Sequence, residues 1–198
     1  MDLQCIFLYS ALRLHRNHQD RTGMLDPRQQ DLFHAWNREF TKRGAVPPRK
    51  AFDPIEFPKS LSTIILAERV ENDALCFRLV GTDMVDAWGA DFTGKCLHEI
   101  MQGEYHDFIR GLFDETIAQQ VPIYSHSRFQ WDRGRALDTK RIMLPFCRNE
   151  APDEVGFVLI SQVFDHSKLG PPRPMVSANP EFQIIELVRE PLRSGAGN

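Results

Sequence analysis

The sequence predicts an α+β fold in which one antiparallel sheet is covered on one face by helices. Three observations lead there. Two β-rich runs, 63–70 and 74–80, are separated by the turn formers Asn72 and Asp73. Three more strand-like runs lie beyond Pro122, divided by turns at 132–135 and 149–153. Between the two groups the apolar spacing turns helical. Strands joined by tight turns pair antiparallel, and helices gathered between two strand groups mark α+β rather than α/β.

Each element has a local reason. Asp26-Pro27 reads as an N-cap followed by proline at the first helical position. Leu32, Phe33, Trp36 and Phe40 then form an apolar stripe, and Gly44 ends the helix after Lys42 and Arg43. Pro47-Pro48 breaks the chain, and Asp53-Pro54 opens a short turn anchored by Ile55, Phe57 and Leu61. In the second strand Leu75, Phe77 and Leu79 are expected on one face and Cys76, Arg78 and Val80 on the other. Thr82 or Asp83 is expected to cap a short helix carrying Met84, Val85 and Trp88. A longer helix over 104–120 aligns Phe108, Ile109, Leu112, Phe113 and Ile117. The last three strands are read at 125–131, 139–146 and 155–164, with Ile142, Leu144 and Phe146 sharing a face.

The whole chain has 198 residues, 42% apolar and 26% charged, which suits one domain with a full core. Fourteen Phe and three Trp can fill a wide core or line an apolar cavity. A net charge of -3 supplies no broad attraction to nucleic acid or to an anionic membrane. No run approaches the roughly 20 apolar residues of a bilayer span, and the apolar stretch 5–14 has no basic segment before it. A cytoplasmic protein is expected. The division reads as a flexible extension over 1–25, a domain over 26–168, and a linker and tail over 169–198, within which 182–188 could dock as a strand or helix. Cys5, Cys76, Cys96 and Cys147 show neither CxxC nor metal-knuckle spacing and read as buried thiols in a reducing compartment.

Several short motifs stand in this order: Trp36, Arg43-Gly44, Pro47-x-Arg49, Phe52-Asp-Pro54, Leu61-x-x-Ile64, Phe77-Arg-Leu-Val-Gly-Thr82, Gly89-x-Asp91-x-Thr93-Gly94, and Leu144-Pro145. By these the chain resembles the PAS domains, and more closely the PAS-like family of stand-alone alphaproteobacterial proteins. The resemblance implies a PAS-like five-stranded antiparallel sheet whose concave face and helical cover can enclose a small molecule. It also implies a homodimer through the N-terminal flanking helix 27–43, and it carries over no catalytic residue.

Pocket candidates are Phe77, Leu79, Met84, Trp88, Phe108, Leu112, Leu144, Phe157 and Leu159, apolar residues of the strands and of the helical cover. The bland alternative is a solid core without a ligand. His98 and His106 occupy the place in chain order that a haem ligand would need, but neither stands in a distinctive motif. Cys96 lacks the Asn-Cys-Arg-type context of a photoreactive flavin site. Neither haem nor flavin is expected. No GxSxG, Walker loop, HExxH or GxGxxG occurs, so the reading is not an enzyme. No kinase-like or DNA-binding segment is present to act as output, so a signalling partner protein is expected. Arg128, Gln130, Arg133 and Arg135 form a basic strand edge that reads foremost as protection against strand aggregation. The function expected is a sensory module that binds a small molecule or a partner. A ligand-free interaction scaffold is the alternative, and an enzyme on the same frame comes third.

Overall fold

The computed structural model describes residues 24–132, 135–149, 151, 153–165 and 183–192. The first helix, α1 (Pro27–Arg43), starts with a capping box: the Asp26 carboxylate accepts from the Arg28 N–H, and the Gln29 side chain accepts from the Asp26 N–H. Gly44 at φ 68° closes it in the left-handed region that glycine adopts without strain. Strands β1 (Ile64–Arg69) and β2 (Leu75–Val80) form the first hairpin. The helical cover follows as α2 (Thr82–Trp88), α3 (Leu97–Ile100) and α4 (Gly103–Gln119). Strands β3 (Ile123–Asp132), β4 (Arg135–Cys147), β5 (Val155–Asp165) and β6 (Gln183–Pro191) complete the chain.

All strand pairs are antiparallel, in the order β2-β1-β5-β4-β3-β6. The sheet therefore has six strands where the sequence suggests five. The sixth comes from residues assigned to the linker and tail: Ile184, Ile185 and Val188 pair along β3 opposite Phe129, Arg128 and His126. A short apolar run fits helix or strand equally well, and only the open edge of β3 decides between them. Arg128 is correspondingly no free edge cation, because it makes a two-pronged contact with Asp138 at 2.6 and 2.9 Å.

Strand alternation sorts the side chains into two separate cores. One face presents Ile65, Ala67, Met143, Val158 and Ile160 to α2, α3 and α4, which contribute Met84, Leu97, Ile109, Leu112 and Phe113. The other presents Ile64, Leu66, Ile142, Leu144 and Leu159 to Leu32, Phe33 and Trp36 of α1 and to Phe52 of the segment after it. Helices thus cover both faces, α1 being the second layer rather than a free flanking arm. Burying each large side chain of its stripe contributes about 1.5–3 kcal/mol, which is what holds the helix against the sheet.

Two further expectations are corrected. Gly81 caps α2, and no side chain does so. A Cβ at Gly81 would stand 2.4 Å from the Ser62 carbonyl oxygen, so the hairpin end admits only glycine. Cys76 and Cys96 are joined by a disulfide, an isolated bridge that brings together positions 20 apart in sequence. Such a contact depends on the chain reversal at Gly89–Gly94 and leaves no spacing signature. Cys147 remains a buried free thiol. Among the described residues no helix is long and apolar enough to cross a membrane.

Candidate functional site

The register of three strands builds the polar part of the site. Arg141 of β4 lies opposite Ser125 of β3 and Gln162 of β5, so the three form one row across the face that α4 covers. Arg141 is 2% exposed, a rare state for an arginine. Its Nε donates to Gln162 Oε1 at 2.9 Å and its Nη1 to Ser127 Oγ at 2.7 Å. Tyr105, at the start of α4, also hydrogen-bonds it, and the Phe108 ring centroid lies 5.8 Å from the guanidinium carbon. No carboxylate pairs with Arg141 among the described residues. Burial lowers the proton affinity of this guanidinium, and the Tyr105 hydroxyl opposes that in part.

Beside this row lies a cavity of about 30 Å³, room for a water molecule or two. Ile65, Phe77, Met143 and Ile160 of the sheet form its floor, and Met84, Phe92, Met101, Ile109, Leu112 and Phe113 form its roof. Tyr105, Arg141 and Gln162 supply the polar wall. Trp88 backs the roof, edge-on to Phe92 and stacked on Tyr105 at centroid distances of 6.0 and 6.4 Å. An apolar chamber with a few converging polar groups is the usual form of a small-molecule site.

Of the nine candidates, Phe77, Met84 and Leu112 line this cavity. Trp88 and Phe108 pack against the same core without lining it. Leu79, Leu144, Phe157 and Leu159 lie on the opposite face, with α1. For Leu79 the physical cause lies at Arg78. Leu66 pairs with Leu79 while Ala67 pairs with Phe77, so Arg78 is a bulged residue that puts Phe77 and Leu79 on opposite faces. Leu144 and Leu159 alternate with Met143 and Ile160 along their strands and so face α1, whereas Arg141, two residues from Met143, faces the cavity. A charged residue inside an apolar strand was the available signal.

His98 is exposed, and His106 contacts Asp107 at 3.0 Å; neither lines the cavity. Among the described residues no group of three His, Cys, Asp or Glu side chains converges on a point that could hold a metal. A family model described as a PAS domain matches residues 24–159, which takes in α1, the helical cover and the strands as far as the first part of β5. No curated protein matches the sequence.

Proposed function

Because the chain belongs to the PAS domain family, a family of sensory and signalling modules, we propose that it senses a small molecule held in the cavity between the sheet and α2–α4, and that it does so without catalysis. The observation that supports this reading is the chamber itself: ten apolar side chains close on it, with Arg141, Gln162 and Tyr105 at one wall. A solid core would have no use for an arginine there, because desolvating a charge is expensive unless a partner returns the loss. Met84, Met101 and Met143 surround the space, and flexible thioethers let the roof adjust to an occupant larger than the resting volume.

Signal transfer follows from the layering. An occupant that favours one packing of α2–α4 shifts the population of that packing and changes the surface offered to a partner protein. A homodimer through helix 27–43 would use that helix's polar outer face, since its apolar stripe is already buried. Ile185 and Leu187 of β6, 42% and 43% exposed, give a partner an apolar contact instead. The sensing role is tested by native mass spectrometry of gently purified protein, followed by thermal-shift screening of any molecule released. A co-purified molecule that raises the melting midpoint supports sensing, and an empty protein that no metabolite class stabilises overturns it. Analytical ultracentrifugation of the parent and of Ile185→Glu tests the dimer.

A further inference from the structure

We propose that the cavity is built for an anion, specifically a short-chain monocarboxylate whose carboxylate docks on Arg141 and Gln162. This deepens the sensing role above and rests on it. Three independent features of the site converge on that chemistry.

Arg141 is a buried cation whose hydrogen-bond partners, Gln162, Ser127 and Tyr105, are all neutral. An arginine this deep ordinarily has a carboxylate beside it. Here the fixed charge is left for something that enters.

Gln162 is also 4% exposed, and its orientation is determined. The guanidinium can only donate, so the carboxamide must present Oε1 to it, leaving the Nε2 amide as a donor not used by Arg141. That Nε2 is buried and has no partner, and Ser125 Oγ, on the opposite side of Arg141 in the same row, is the other such atom among the described residues. Buried unpartnered donors carry a desolvation penalty that a bound acceptor removes. Both orphans flank the buried guanidinium of Arg141 in the same row.

The remaining wall is apolar, formed by Met, Phe, Ile and Leu. The site therefore discriminates against strongly hydrated inorganic anions and against polyanions, which would leave charge in contact with hydrocarbon. A single carboxylate matches the N–H groups that the guanidinium has left beside Gln162 and Ser127, and an alkyl tail matches the methionines, whose thioethers must move aside because the resting space of about 30 Å³ admits only a water or two.

The test compares ligands of one shape on the intact protein. Butanoate, butanamide and butanol, then acetate and hexanoate, are titrated by calorimetry and thermal shift. Butanoate is expected to raise the melting midpoint, with butanamide and butanol binding about tenfold or more weakly. Arg141→Met should abolish the butanoate effect. Gln162→Leu, which removes the orphan donor, should weaken it and serves as the second variant should Arg141→Met fail to fold. Butanol or butanamide binding as tightly as butanoate overturns the anion proposal while leaving the sensing role standing. Failure of all five compounds overturns the proposal whatever else the protein binds, and the mass-spectrometric test above then decides the sensing role separately.

Discussion

The indole N–H of Trp36 donates to the carbonyl oxygen of Pro145 at 2.6 Å, tying the middle of α1 to β4. Pro145 lies two residues past Met143, where pairing with β3 ends, so its missing N–H falls on a locally open part of the strand. The indole thus serves a carbonyl in the one stretch of β4 that lacks a β3 neighbour. Phe40 stacks on the indole at 4.9 Å and holds its plane.

Trp36→Phe keeps most of the apolar area but loses this bond and leaves a buried carbonyl less well satisfied. A loss of about 1–3 kcal/mol is expected, read from the urea midpoint at an unchanged slope. A change below a few tenths would show that α1 is held by area alone.

Gln29 offers a sharper test of the same docking. Its amide donates to the carbonyls of Lys140 at 3.1 Å and Ser161 at 2.9 Å, and it is fully buried. Gln29→Leu preserves the volume while ending three backbone contacts, the capping box among them. It should destabilise by about 2 kcal/mol or more, a magnitude that surface substitutions do not reach. Glu39→Gln, on the same helix and away from the sheet, is the matched control.

Much of the frame was legible because it rests on local rules. The Asp26-Pro27 start and the Gly44 stop gave the bounds of α1 directly, since a capping box and a left-handed glycine act within a few residues. The motif pieces Phe77–Thr82 and Gly89–Gly94 meet in the fold, with Phe77 accepting from the Gly94 N–H at 2.7 Å and donating to the Lys95 carbonyl at 2.9 Å. What stayed hidden depends on pairing between distant segments. The Arg78 bulge reverses the expected face of Leu79, β6 exists because β3 is there to receive it, and the Cys76–Cys96 contact needs the whole loop folded. The burial of Arg141 has no local cause, because only the pairing of β4 with β3 and β5 under α4 puts a charged side chain inside.

Glu68 clamps the bulge. It accepts from Arg78 Nε at 2.7 Å and from Arg148 Nη1 at 2.9 Å. Burial pushes its carboxyl pKa up, but the hydrogen bonds and charges of Arg148 and Arg78 outweigh that and hold it below the ordinary 4.5. A depressed folded value means the stabilisation is complete above 4.5 and is lost as pH falls through the folded value. Stability should therefore decline on the acid side of that point, and Glu68→Gln should flatten part of the decline while lowering stability at neutral pH. Asp26, also held low against the opposing effect of burial by its hydrogen bonds with Arg28, supplies a further share. An acid limb unchanged in Glu68→Gln would count against the clamp.

The thiols can be counted. Cys147 is buried, its Sγ lies 3.4 Å from the Val46 carbonyl, and burial pushes its thiol pKa up, so little thiolate forms. Alkylation of native protein should spare Cys147 and label it on unfolding. Peptide mapping without reductant should recover Cys76 and Cys96 as one linked pair. Recovery of both as free thiols from freshly lysed cells would agree instead with the reducing compartment that the sequence suggested.

The two faces of the sheet should respond differently to the same lesion. Leu112 and Leu144 are each fully buried, Leu112 in the cavity roof and Leu144 in the α1 core. Truncating either to alanine removes the same atoms, so each should cost about 2–5 kcal/mol, varying with how far the surroundings relax. Only Leu112→Ala enlarges the space beside Arg141, and it should shift the preferred carboxylate from butanoate toward hexanoate. Leu144→Ala should leave the chain-length preference as it is, because the sheet backbone stands between that side chain and the cavity. Equal changes in preference for both variants would mean that the two cores communicate through the sheet. The binding face would then have to be drawn to include α1.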